Sequence, residues 1–147
     1  RRGIIIKLSS DDNTASRIKN LECFSSENED GGVYFPPDLS FEIKNNILFI
    51  KYDHGRYGNW QYIFRYQKDD FELIGYEASD NRGPIVIRST SINYSSKKVF
   101  VKTNTTPDSM EKPVFEKKWG EVKVDELLKL SEIEDFGNLY LNQSDNF

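Results

Sequence analysis

Between Asp38 and Ala78 the chain alternates apolar and polar residues in short runs broken by turn residues. Leu39, Phe41 and Ile43 occupy every second position, Asn45-Asn46 follows, and Ile47 to Tyr52 runs back. Side chains alternate across a strand, and paired asparagines tolerate positive φ, so this pattern predicts a hairpin. Trp60, Tyr62, Phe64 and Tyr66 then share one face, with Gln61, Ile63, Arg65 and Gln67 on the other. Beyond the short loop Lys68 to Asp70, a returning strand puts Phe71, Leu73 and Gly75 on one face and Glu72, Ile74 and Tyr76 on the other. A third hairpin is read in "PIVIRSTSINY" and "KVFVKTN", joined through Ser95-Ser96.

Consecutive hairpins with short polar turns predict a mainly β fold, an antiparallel meander or small sandwich, because parallel pairs need long crossovers. "GIIIKL" near the start is a strand-length apolar run, and Ile18 to Phe24 is another. The stretches "SSDDNTAS" and "SSENEDGG" read as a turn and a polar loop. "VDELLKLSEIEDF" carries a weak helical pattern opened by Asp125, which predicts a short helix or turn near the C-terminus. Residues 137–147 read as a frayed tail of a single β-rich domain spanning 1–147. The expected core is Phe41, Ile43, Trp60, Tyr62, Phe64, Tyr66, Phe71 and Leu73, since the polar face opposite the aromatic row suits solvent.

Composition narrows the function classes. Lys and Arg number 20 against 24 Asp and Glu, a net charge of -4, and the basic residues are scattered, which argues against nucleic acid as a partner. Aromatic residues make up 14% of the chain and Met occurs once, a balance that favours strands over long helices. No run approaches the ~18 apolar residues of a membrane helix. The sequence opens at Arg1 directly before an apolar run, which reads as a trimmed chain whose leading segment, where a signal peptide would lie, is missing.

Candidate chemistry is sparse. Cys23 is the one cysteine, so the chain forms no internal disulfide and lacks the ligands of a thiolate zinc site or an iron–sulfur cluster. With the single histidine, His54, it could form a nucleophilic pair only if the fold brought the two together. The glycine spots, Gly31-Gly32 and Gly55 with Gly58, lack the spacing of phosphate-binding loops. Three acidic groups, Asp11-Asp12, Glu27 with Glu29 and Asp30, and Asp69-Asp70, fall in expected turns, where charge is ordinarily solvated. Asn-x-Ser/Thr triplets occur at Asn93, Asn104 and Asn142. No metal ligand set and no cofactor motif is identified.

The stretch "GGVYFPPDLSFEIKNNILFIKYDHGRYGNWQYIFRYQKDDFELIGYE", followed by "STSINYSSKKVFVKT", resembles a group of uncharacterised bacterial secreted or cell-envelope, lipoprotein-like proteins. These share a Gly-Gly turn, an amphipathic hairpin, a Trp-led aromatic strand and a Leu-Ile-Gly strand, matched here by Gly31, Gly32, Trp60, Phe64 to Gln67, Asp70, Phe71 and Leu73 to Gly75. The resemblance covers about residues 31–103. It implies an exported location, secreted, periplasmic or at the envelope, and supplies no catalytic residues. Two departures stand out: relatives carry paired cysteines before the Gly-Gly turn, where this chain has one, and an Asp-rich leading stretch that this chain does not include.

The resulting expectation is a non-catalytic exported domain with a binding or structural role and an unidentified protein or glycan partner. The alternative is a carbohydrate-directed hydrolase or sugar-binding module using loop carboxylates and aromatics. The expected ligand contact is the loop "HGRYGNW", through His54, Arg56, Tyr57, Asn59 and Trp60, since glycines let backbone approach a partner and the other side chains supply donors, acceptors and a ring face.

Overall fold

In a computed structural model of the chain, residues 1–9, 15–24, 37–136 and 139 are described. They form nine strands. β1 (Arg2–Ser9) and β2 (Ala15–Phe24) pair as an antiparallel ribbon. β3 (Asp38–Lys44), β4 (Ile47–Asp53), β5 (Gly58–Gln67), β6 (Asp70–Arg82), β7 (Ile85–Asn93), β8 (Lys98–Asn104) and β9 (Phe115–Glu121) form a seven-stranded antiparallel sheet in chain order. The meander expected from the sequence is therefore the architecture found. The expected turns at residues 10–14 and 25–32, with Asp11, Asp12, Glu27, Glu29, Asp30, Gly31 and Gly32, and the tail 137–147, apart from Leu139, lie outside the described residues.

Turn chemistry sets the register. Asn45 and Asn46 both hold positive φ, 52° and 64°, and the pairing of Lys44 with Ile47 closes a two-residue turn whose twist matches the strands it joins. Lys68 and Asp69 do the same at 53° and 61°. Gln67 pairs with Asp70, so the turn is two residues long and Asp70 already belongs to β6.

One face of the large sheet carries the core. Leu48, Ile50, Tyr62, Phe64, Phe71, Leu73, Ile92, Val99 and Val101 are buried there beneath a second layer made by the β1–β2 ribbon and the chain after β9. Phe136 from that last stretch stacks on Phe24 at 4.9 Å and meets the edge of Tyr62 at the same distance. Asn20 donates to the carbonyls of Leu130 and Ile133, at 2.8 and 2.6 Å, which ties the ribbon to the C-terminal stretch. Leu73 N–H donates to Leu128 O, so this stretch also extends the ladder beside the start of β6.

Two expectations need correction. Phe41 and Ile43 do point to the core side, but they are 48% and 53% exposed, because β3 is an edge strand; Leu39 packs against the core and Phe41 meets Phe24 edge to face. Tyr76 is not opposite the aromatic face. Ile63 pairs with Gly75 but Phe64 with Leu73, so Ile74 is an extra residue, and this bulge returns Tyr76 to the core side. The short helix or turn expected near the C-terminus is found as a turn, with a 3₁₀ turn at Leu130–Glu132 whose Leu130 is fully buried, and Asp125 caps no helix. Of the aromatic row, Tyr62 and Phe64 are buried, while Trp60 and Tyr66 are half-buried at its two ends.

Candidate binding face

The other face of the seven-stranded sheet carries side chains that the second layer does not cover. Strand register sets them in rows. One row runs Lys51, Gln61, Glu77, Ser91, Phe100 and Trp119 from β4 to β9, each directly opposite the next. A neighbouring row runs Asp53, Asn59, Ser79, Ser89, Lys102 and Lys117. Phe100 lies on this side because Val99 and Val101, its neighbours in β8, are buried in the core. Trp119 follows from its pairing with Phe100.

Phe100 and Trp119 stack, ring centroids 4.2 Å apart and planes 28° from parallel, and Trp119 is 70% exposed. The Lys102 ammonium sits 5.9 Å from the Phe100 ring centre. Two shallow depressions flank the pair. One, of about 370 Å³, reaches inward from Phe100 and Lys102 past Ser91 and Glu77 to Gln61 and Lys51. The other lies at the sheet edge beside Trp119, with Lys98 and Glu121. An exposed stacked pair among amides, hydroxyls and lysines can offer an apolar plane and hydrogen bonds to one flat ligand.

The five residues expected to form a site are split by the fold. Gly55–Tyr57 makes a 3₁₀ turn closed by the His54 N–H to Gly58 O bond of 2.8 Å. The His54 ring stacks on Trp60 at 3.8 Å, and Trp60 leans on Tyr52, so this pair belongs to the core side. Arg56 and Tyr57 are exposed at the tip, with the guanidinium 5.8 Å from the Tyr57 ring centre, and Arg56 O accepts from Gly83 N–H in the β6–β7 turn. Asn59 alone faces the open side, where it lines the inner depression. The residues missed from sequence are Phe100 and Trp119. A signal for the first was present, since a phenylalanine between two buried valines must face away from them.

The other chemistry is also placed. Cys23 is fully buried, its thiol donates weakly to Asn20 O at 3.8 Å rather than to His54, and burial pushes its pKa up to about 11, which disfavours the thiolate at neutral pH. Asp69 is exposed in its turn, whereas Asp70 is buried and accepts from Phe71 N–H and the Ser131 hydroxyl. Asn104 is buried, donating to Val86 O and accepting from Thr106 N–H, so its side chain is committed to the β8–β9 connection; Asn93 is exposed. Asn142 lies outside the described residues. Among the described residues no group of three or more His, Cys, Asp or Glu side chains could hold a metal ion, and no helix is long and apolar enough to cross a membrane. No family model matches the chain, and neither does a curated protein or a solved structure.

Proposed function

We propose that this chain is a non-catalytic binding domain of an exported bacterial protein, working at the cell envelope, and that it binds through the open face of its large sheet. The observation that carries the binding role is Trp119, 70% exposed and stacked on Phe100 on a face that is otherwise polar. An aromatic side chain held rigid by a neighbour and left in water is the type of group that anchors a partner at little entropic cost. The exported, envelope setting rests on the resemblance over residues 31–103.

The carboxylates lend no support to the hydrolase alternative, which requires an acid and a base across a cleft. Asp70 is engaged by Phe71 and Ser131, and Glu77 is the one carboxylate lining the inner depression. Co-sedimentation with washed bacterial envelope tests the proposal. The protein is expected in the pellet and Trp119→Ala in the supernatant, with both melting alike. Equal pelleting of the two would remove the open face from consideration.

A further inference from the structure

The lysines around the ring pair say more about the ligand. Lys102 on β8 stands directly opposite Lys117 on β9, and Lys98 stands on the other side of Phe100 on the same face. None of the three forms an ion pair with a carboxylate among the described residues. Like charges directly opposite one another in a sheet destabilise it. Here that cost sits in a chain of net charge -4, beside its most exposed tryptophan. Lys98 and Lys102 are each two residues from Phe100, which sets them roughly 13 Å apart along the strand.

We infer that the Phe100–Trp119 face binds an acidic polysaccharide, its sugar ring lying on Trp119 and its uronate carboxylates meeting Lys98, Lys102 and Lys117. The inference rests on the binding role proposed for this face. The separation of the cations suits a chain of sugars rather than one. The depression that continues inward offers Asn59, Gln61, Ser79, Ser89 and Ser91, donors and acceptors matched to hydroxyl groups. A single-stranded nucleic acid fits less well. Successive bases call for several separate rings, whereas Phe100 and Trp119 form one stack.

The test uses the full chain carrying Trp60→Phe, so that Trp119 is its single tryptophan, titrated with oligogalacturonate, a neutral galactan of equal length, and an oligothymidylate. Oligogalacturonate is expected to change Trp119 fluorescence with an affinity that falls as salt rises, and the galactan to bind at least tenfold more weakly. Lys102→Gln with Lys117→Gln is expected to lose roughly tenfold in affinity while raising the melting temperature, the opposite of what a structural pair would do. Equal binding of the galactan, or no effect of the lysine changes, would overturn the acidic ligand and leave the binding face standing. Tighter binding of oligothymidylate would overturn it in favour of nucleic acid. If no probe binds but Trp119→Ala still abolishes envelope pelleting, the glycan inference falls alone; if pelleting is also unchanged, both fall.

Discussion

Tyr62 on β5 and Tyr76 on β6 face each other across the core side, ring centroids 5.2 Å apart, because Ile74 is bulged out of register between them. Strict alternation from Leu73, with Ile74 paired in the ladder, would turn Tyr76, Ala78 and Asp80 to the open side. Deleting Ile74 removes the bulge but leaves Leu73 and Tyr76 on the core side and Gly75 opposite Ile63, so the variant is expected to keep cooperative unfolding at a cost of about 1 to 2 kcal/mol. Loss of cooperativity in urea melts of the deletion variant would show that the bulge itself, and not only the register it keeps, is needed for the fold.

Phe64 and Phe41 separate burial from facing. Both lie on the core side, but Phe64 is fully buried and Phe41 is 48% exposed. Phe64→Ala is expected to cost about 3 to 5 kcal/mol, the usual range for truncating a buried aromatic. Phe41→Ala is expected to cost about 1 kcal/mol, for its edge contact with Phe24. Comparable losses in denaturant melts would mean that the edge strand is covered in solution.

These elements show what was legible in the sequence. Alternation and turn residues located β3 to β8 and two of the tight turns, because each is a local property of a few residues. What local pattern does not encode is which faces meet a second layer. The exposure of Phe41 depends on where Phe24 and Phe136 lie, and the reversal at Ile74 depends on pairing between strands rather than on periodicity within one. β9 escaped for a related reason. "FEKKWGE" alternates around exposed lysines, and its pairing with β8 is closed by a long connection that Asn104 organises. For the site, the glycine-rich loop stands out by composition, while the Phe100–Trp119 stack joins residues nineteen positions apart in the chain.

The Lys68-Asp69 turn holds strain that a better turn sequence would remove. Both residues have positive φ, which costs non-glycine residues about 1 to 2 kcal/mol each. Changing the pair to Asn-Gly is expected to raise stability by roughly 1 kcal/mol, about 2 to 4 °C in melting temperature, without altering the register. A lower melting temperature would indicate that Lys68 or Asp69 makes a compensating interaction.

Gly58 and Gly55 make a matched comparison in the loop before β5. Both have positive φ, but a Cβ on Gly58 would overlap the Ser79 carbonyl, whereas one on Gly55 meets open space. Gly55→Ala is expected to cost about 1 kcal/mol, for the backbone alone. Gly58→Ala is expected to cost clearly more, since β5 and β6 must part to admit the methyl group. Equal losses in thermal melts would contradict the close approach of the two strands.

Alkaline stability should be governed by the buried tyrosines. Burial, with the Asp80 carboxylate second, pushes Tyr76 up to about 12 from an ordinary 10.0. Burial, reinforced by neighbouring tyrosines, raises Tyr62 and Tyr94 further. In the unfolded chain all three lose their protons near pH 10, while the folded chain keeps them to pH 12 or above. The unfolded state thus binds fewer protons in this window. Stability is intact below pH 10 and falls as pH rises, by about 1.4 kcal/mol per pH unit for each tyrosine still protonated in the fold. Tyr94 isolates the effect, because its buried hydroxyl has no hydrogen-bond partner among the described residues. Tyr94→Phe is expected to leave stability at neutral pH unchanged or improved. Its alkaline slope should be shallower by that one increment, measured by urea melts at pH values on either side of 10. A variant destabilised at neutral pH would show that the Tyr94 hydroxyl has a partner in solution, and an unchanged slope would show that it already ionises at its ordinary value.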